Sequence, residues 1–517
     1  MLKILFKKSR WVHKYLGLIF ILFFILESIS GIILNHPGIV SGVDIPSFMV
    51  PPQYKVNNWN RSSLVKMVFS SSDKKIGFLG GKKGVWKTED GGMTFIKLTD
   101  GYPSSQYYGK VSDLLLVKND FGGESLYACT FSGLYRMNIG NEKWVKLFPK
   151  KKNEKVLKIL DIVDKMVIFT PSHAYISEKG DRKLDFKVVR LLRNGGNQVK
   201  KVSLVRLFFD LHGGKIWGIA GKIFFDFIAV LLIFLSISAF YIWIYPKKWK
   251  RSRSSEKKKL SGYGFFYKYH LKIGIWIASV LLIIGITAFF MRPPFLALIA
   301  NGEIDVSLYP SKFPSNPWDE KIHNALHYSK RGKVLIEATD GIWEGNDDFS
   351  GEFKKTKFPV EIFVMGTTVF SEYYKGGVLA GSFNGIFHIS DDGKVTDLVT
   401  GKNPGEIISF IPADIMVAGY FITPDGEEFI TGFEKGIIPL NGVRREGRFD
   451  LPDKLKSDKS FPLWNYMLEI HNGRIFKDAI GGLYILIIPL GALLFILIVI
   501  TGIYDWLFSR FTKKSSL

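Results

Sequence analysis

Hydrophobic positions run along this chain in two rhythms. Four long apolar runs, residues 15–34, 219–245, 270–291 and 480–507, each reach the ~20 residues that a helix needs to cross ~30 Å of hydrocarbon. Between the first and second, and between the third and fourth, short β-rich runs alternate with Gly, Asn and Asp turns. Six of them share one form, a strand, a tight turn and a second strand: "IGFLGGKKGVWKTEDGG", "LYACTFSGLYRMN", "MVIFTPSHAYIS", "VLIEATDGIWEGN", "VLAGSFNGIFHISDDG" and "FITGFEKGIIPLNG". They recur at roughly 40–50 residues, the blade length of propeller folds.

This pattern predicts an α+β membrane protein: a four-transmembrane-helix bundle with a β-rich, propeller-like extracytoplasmic domain built from both outer segments. Two separate half-size β domains are the alternative. "TEDGGMTF" (Thr88–Phe95) resembles the Asp-box hairpin of sialidase-like propellers, and "SDDGKVT" (Ser390–Thr396) is a degraded copy. Such a box marks a turn, with Asp90 bonding backbone amides, and not a catalytic site. The expected divisions are 1–38 (N-terminus and first span), 39–210 (first β-rich segment), 211–246 (second span with its histidine flank), 247–268 (basic loop), 269–292 (third span), 293–470 (second β-rich segment) and 471–517 (fourth span and C-terminus). The first apolar run is too long for a signal peptide and lacks a small-residue cleavage site, so it reads as an anchor.

Charge orients these pieces. Lys3, Lys7, Lys8, Arg10 and Lys14 precede the first span, "PKKWKRSRSSEKKK" (Pro246–Lys259) joins the second to the third, and Arg510, Lys513 and Lys514 follow the fourth. The positive-inside rule puts all three clusters, and both termini, in the cytoplasm. The formal charge of +23 therefore belongs largely to topology and to anionic membrane lipid, and no nucleic-acid motif accompanies it. Cys129 is the one cysteine, which excludes intrachain disulfides, covalent C-x-x-C-H haem attachment and iron–sulfur sets.

The chain is also written twice. "HKYLG" (His13–Gly17) matches "HLKIG" (His270–Gly274), and "DLHGGKIWG" (Asp210–Gly218) matches "EIHNGRIFK" (Glu469–Lys477). "SAFYIW" (Ser238–Trp243) matches "TGIYDW" (Thr501–Trp506), and between the histidine and this ending the second copy is longer by four residues. Trp59 and the "GVW" at Gly84 correspond to Trp318 and the "GIW" at Gly341. The unit is span, outer segment, span, repeated in one orientation, which implies approximate two-fold symmetry about the membrane normal.

Duplication makes His13 equivalent to His270, and His212 equivalent to His471. One imidazole beside a span is an ordinary interfacial residue; four at duplicated positions point to function. Zinc catalysis wants three clustered ligands, whereas these histidines divide between two membrane edges. Haem needs one or two axial imidazoles and an apolar slot, so the pattern suits b-type haem, two copies of it, near His13/His270 and near His212/His471. An ideal helix would rise ~34 Å from His13 to His36, which makes His36 an outer ligand, a propionate partner or a cap. Its counterpart in the second copy is Pro293. His13, Gly17, Phe20, Phe24, Glu27 and Gly31 fall on one stripe. Glu27 and Asp226 are candidates for a proton relay or a buried hydrogen bond. His173, His323, His327 and His388 default to surface or turn positions, although "HNALH" would set His323 and His327 one turn apart on a helix.

The phrases "WVHKYLGL…GIILNH" and "LHGGKIWGIAGKIFFDFIAVLLIFLSISAFYIW", with their second-half counterparts, resemble the PepSY-associated transmembrane-helix family, which includes bacterial inner-membrane reductases of ferric siderophores. The resemblance covers the four spans. It implies haem at His13, His212, His270 and His471, with His36 as a further candidate, and electron delivery to an extracytoplasmic acceptor such as a ferric chelate. In place of external PepSY modules this chain has propeller-like repeats, which puts the usual substrate in doubt. The short cytoplasmic segments carry no flavin or nicotinamide motif, so the donor would be a quinol or a separate reductase. The competing expectation is a non-redox propeller platform held by four helices.

Overall fold

In the computed structural model of the chain, residues 2–118, 123–179, 184–196, 200–251, 257–405, 407–409, 411–441, 445–457 and 460–514 are described. Residues 252–256 of the basic loop lie outside them. The chain forms two compact units. One, helical, takes residues 1–40, 200–313 and 463–517; the other, β-rich, takes 41–199 and 314–462.

The β-rich unit holds six antiparallel sheets in chain order. The first comprises Lys66–Phe69, Gly77–Gly81, Gly84–Thr88 and Ile96–Lys97, the second Val111–Lys118, Glu124–Thr130, Gly133–Asn138 and Trp144–Phe148, and the third Lys158–Ile162, Lys165–Phe169, Ala174–Glu178 and Lys187–Val189. After the excursion through the helical unit come Ile322–Tyr328, Lys333–Ala338, Gly341–Asn346 and Glu352–Thr356, then Val369–Glu372, Val378–Ser382, Gly385–Ile389 and Val395–Asp397, then Val417–Ile422, Glu428–Gly432 and Gly436–Pro439. Four of the six second strands are buried along their whole length, and the other two beyond their first residue, Lys165 or Lys333, which explains their largely apolar runs. Each sheet lays its first strand against the first strand of the next, and that of the sixth lies against that of the first.

The Asp90 turn forms as its sequence requires. Asp90 Oδ1 accepts from the amides of Met93 and Thr94, both at 2.9 Å, and Oδ2 accepts from Thr94 Oγ1 at 2.6 Å. Gly91 and Gly92 take φ of 74° and 102°, a region that costs only glycine nothing. Burial would raise the Asp90 carboxyl, but these bonds, with that from Thr88, hold it at about 2.

The repeat survives in the packing. Trp59 meets Trp86 edge-on at 6.3 Å, and Trp318 meets Trp343 at 5.7 Å. Trp59 Nε1 donates to Phe449 O (2.9 Å) and Trp318 Nε1 to Leu191 O (3.0 Å), so each half closes on a segment of the other. Beyond Leu191, Leu192–Arg193 pairs in parallel with Glu352–Phe353. The Arg193 guanidinium lies 4.0 Å from the Trp318 ring centroid and 4.1 Å from that of Trp343.

In the helical unit, α1 (Leu2–Ile19) and α2 (Ile21–Asn35) are followed by α3 (Leu204–His212), α4 (Gly218–Arg251), α5 (Lys257–Phe290), α6 (Leu463–His471) and α7 (Ile487–Lys514). Three stretches, Lys215–Pro246, Gly262–Phe290 and Arg474–Phe511, are long and apolar enough to cross a membrane, and α1 with α2 makes a fourth only if their 61° bend is accepted within one span. The first span is therefore not the straight helix expected, and the ~34 Å rise from His13 to His36 does not hold. The break at Phe20 follows Gly17 by three residues, where the helix lacks a side chain to stiffen it. The four residues by which the second copy is longer also have a place: Gly214 and Gly473 share φ near 70° (70° and 72°), as do Gly218 and Gly481 near 60° (61° and 57°), and the short helix Lys477–Ile480 stands between Gly473 and Gly481, where the first copy has none between Gly214 and Gly218. Phe24, Ile228, Leu235, Ile277, Leu281, Phe495 and Ile498 form a shared core, while Ile219, Phe227 and Trp276 stay exposed, as lipid-facing side chains do.

One buried charge cluster ties the β sheets together. Asp113 accepts from Lys66 Nζ at 2.7 Å and faces Lys158 Nζ at 3.7 Å. Burial alone raises its carboxyl, yet Lys158, Lys66 and the Ile159 amide bring it below the ordinary carboxylate value. Asp113→Asn leaves two ammoniums uncompensated and is expected to cost about 3–5 kcal/mol, read as a lower thermal midpoint of the β-rich unit. Because the folded pKa is depressed, this contribution is present above about pH 4 and disappears as pH falls further, so the two proteins should converge in acid.

Candidate functional site

The helical unit brings the four duplicated histidines together as two pairs. His13 and His270 have ring centroids 6.5 Å apart, and His212 and His471 have theirs 6.1 Å apart. In each pair the members come from different repeats. Among the described residues no group of three or more His, Cys, Asp and Glu could hold a metal ion, so these pairs are the two-ligand candidates.

What holds each ring is the finding that the sequence did not announce. Ser238 Oγ lies 2.9 Å from His270 Nδ1 and gives its own proton to Leu235 O. Thr287 Oγ1 lies 3.1 Å from His212 Nδ1 and gives its proton to the carbonyls of Ile283 or Ile284. Ser30 Oγ, committed to Leu26 O or Glu27 O, lies 2.9 Å from His471 Nδ1. A hydroxyl whose single proton is spent on the backbone can only accept, so in each case Nδ1 carries the hydrogen. His13 Nδ1 donates to Ile498 O (2.9 Å), the carbonyl that also accepts from Thr501 Oγ1. All four rings are thus fixed in the tautomer that leaves Nε2 as a free lone pair, the form that binds metals.

The four hydroxyls are themselves duplicated. Ser30 follows His13, and Thr287 follows His270, by 17 residues; Ser238 and Thr501 head the matched "SAFYIW" and "TGIYDW" segments. The signal was present as spacing, but nothing in the sequence says that each hydroxyl serves the histidine of the other repeat. His270 and Thr287 stand on one continuous helix, α5, so the two pairs are separated by roughly 25 Å along it.

Glycines make the room. A Cβ on Gly502 would sit 2.9 Å from His13 Cε1, so that ring packs directly on the backbone of α7. One turn beyond His13 and His270, a Cβ on Gly17 would meet nothing within 4 Å and one on Gly274 only Leu235 at 4.0 Å. Beside Tyr269, an apolar groove of about 430 Å³ opens between α4 and α5, lined by Phe227, Leu231, Trp276 and Val280 among others.

The carboxylates separate. Glu27 Oε2 lies 2.9 Å from His471 Nδ1. Asp226 instead takes His36 Nε2 at 2.5 Å and Asn35 Nδ2 at 3.0 Å, so His36 joins neither histidine pair. His323 and His327 lie on the strand Ile322–Tyr328 and not on a helix; four strand residues span ~13 Å, too far to share one ion. His327 pairs with Asp347 (3.2 Å), His388 with Gly376 O (2.8 Å), and His173 faces Asn316 at 3.4 Å.

Residues 187–508 match the family described as the PepSY-associated TM region. No curated protein matches the chain. Similar solved structures include the extracellular domains of two putative hybrid two component systems from B. thetaiotaomicron, BT4673 (TM-score 0.35, 11% identity, 75% of this chain and 39% of that one) and BT3049 (0.32, 12%, 76% and 40%). Another is PorZ, a surface component of the type-IX secretion system of Porphyromonas gingivalis (0.30, 9%, 74% and 37%). The chain spans about two fifths of the length of these structures.

The Asp226 network yields a prediction separate from the pairs. Asp226→Ala orphans both His36 and Asn35 and is expected to cost about 1–3 kcal/mol, seen as a lower thermal midpoint in detergent. Asp226→Ala/His36→Ala should cost less than the sum of the single changes, because both act on one network.

Proposed function

From membership of the PepSY-associated TM family, to which the chain belongs as a multi-pass membrane protein with a large extramembrane β-rich part, and from its paired imidazoles, we propose that it is a di-haem reductase that carries electrons across the membrane to an extracytoplasmic acceptor. The observation that carries this reading is the ring separation. Two imidazoles that are to share one ion must converge as close neighbours with their Nε2 lone pairs free. The pairs stand at 6.5 and 6.1 Å.

On this reading His13 with His270, and His212 with His471, hold one b-type haem each; the group when bound supplies a one-electron couple. The rest is the work of this chain. Ser238, Thr287, Ser30 and the Ile498 carbonyl orient the rings, Gly17 and Gly274 leave space beside them, and Phe24, Leu235 and Ile498 exclude water. The lysine- and arginine-rich flanks favour a bacterial cytoplasmic membrane with both termini inside. The groove beside Tyr269 suits a quinol donor, with a separate reductase as the other source. The cyclic succession of the six sheets supports a propeller-like outer body, on which a ferric siderophore or another iron chelate would dock.

Purified protein should give a dithionite-reduced minus oxidised spectrum of b-type haem, at two haems per chain. His13→Ala or His270→Ala should each remove about half of it, and His36→Ala should remove none. A folded but colourless protein would overturn the proposal in favour of a non-redox platform. Gly502→Ala should perturb only the haem of the His13 pair, visible as a change in half of the low-spin electron paramagnetic resonance signal.

A further inference from the structure

The β-rich unit brings to one phenyl ring two lysines that have no counter-ion among the described residues. Lys110 directly precedes the first strand of the second sheet, and Lys155 stands three residues ahead of the first strand of the third. Their Nζ atoms lie 4.8 and 4.5 Å from the Phe131 centroid, so they are no more than 9.3 Å apart. Among the described residues no carboxylate bears on either ammonium; burial depresses both, and the Lys110 charge helps bring Lys155 down to about 8.

The neighbourhood offers no relief. Asp113, three residues beyond Lys110 on the same strand, is already engaged by Lys66 and Lys158. The next sheet contributes His323 at the start of its first strand; after burial, the Lys155 charge is what holds that imidazole low. Glu337 stands 4.0 Å from His323 Nδ1, but both its oxygens are taken by Thr367, and burial raises its carboxyl to about 7. Elsewhere in this unit Lys87 has Glu89 and Glu142 as acidic partners, and Lys179 has Asp161. Two half-buried cations converging on one aromatic ring are mutually repulsive, and the ring offsets little of that. The missing component is an anion.

We propose that Lys110, Lys155 and His323 form a binding site for a small multivalent oxyanion of the carboxylate or phosphate class, with Phe131 as its floor. The two ammoniums stand within 9.3 Å of each other, where the oxygens of one anion can reach both, and His323 adds a ring N–H from the fourth sheet. The site belongs to the β-rich unit alone and stands whether or not the helical unit binds haem.

The test uses the full chain in detergent, with citrate, inorganic phosphate and uncharged glycerol as ligands. Limiting treatment with an amine-reactive acetyl ester, followed by peptide mass mapping, reads the lysines one by one. Citrate or phosphate should slow modification of Lys110 and Lys155 at least five-fold and leave exposed Lys74 unchanged, and glycerol should do nothing. Protection by citrate alone assigns the carboxylate class, and by phosphate alone the phosphate class. Calorimetric binding of the protecting anion should weaken at least ten-fold in Lys155→Gln, and also in Lys110→Gln, which serves if the first variant fails to fold. Failure of both anions to protect, or wild-type affinity in a folded variant, overturns the proposal.

Discussion

The helical unit depends on one requirement: an imidazole placed among hydrocarbon side chains must have its N–H satisfied by protein, because no water is at hand to do it. Serine and threonine can meet that need from inside a helix, since the hydroxyl proton returns to a carbonyl of its own preceding turn and leaves the oxygen free to accept. Every such acceptor here sits on the opposite repeat from the ring it serves. Ser30 of the first copy holds His471 of the second, and Thr287 of the second holds His212 of the first. Neither half orients its histidines alone.

The β-rich unit solves its own closure in the same manner with different chemistry. Trp59 needs the carbonyl of Phe449, and Trp318 needs that of Leu191. The first sheet of each half is thus capped by the segment that follows the last sheet of the other half. In both units the contacts that fix the geometry have long sequence separation, and truncating either repeat would strip the other of its partners.

Much of this was legible, and what was not has physical reasons. The apolar runs, the six strand–turn–strand phrases and the Asp90 turn follow from local periodicity and turn chemistry. The equivalence of His13 with His270 followed from alignment of the chain with itself. The bend at Phe20 did not, because Gly17 only weakens a helix and tertiary packing decides whether it breaks. "HNALH" looked helical by spacing, yet Ile322–Tyr328 pairs along its length with Lys333–Ala338, and sheet pairing overrides a four-residue coincidence. Lys110 and Lys155 are 45 residues apart in a chain with 70 lysines and arginines; only the adjacency of two first strands makes them a pair.

Where the two copies differ is as informative as where they agree. Glu27 reaches His471, while the equivalent position in the second copy is Ile284, which offers its neighbours only a backbone carbonyl. A carboxylate on one nitrogen of an imidazole makes the other nitrogen more basic. The His212 and His471 pair is therefore held differently from His13 and His270, whose rings rest on a serine and a carbonyl. The Asn35–His36–Asp226 cluster adds a second departure, since Arg292 and Pro293 occupy the matching places. A perfectly two-fold chain could offer two centres of like ligation and leave their order to the surroundings. Substitutions confined to one copy break that equivalence, and under the proposed function the two centres would be unequal, as suits an electron path with a preferred direction.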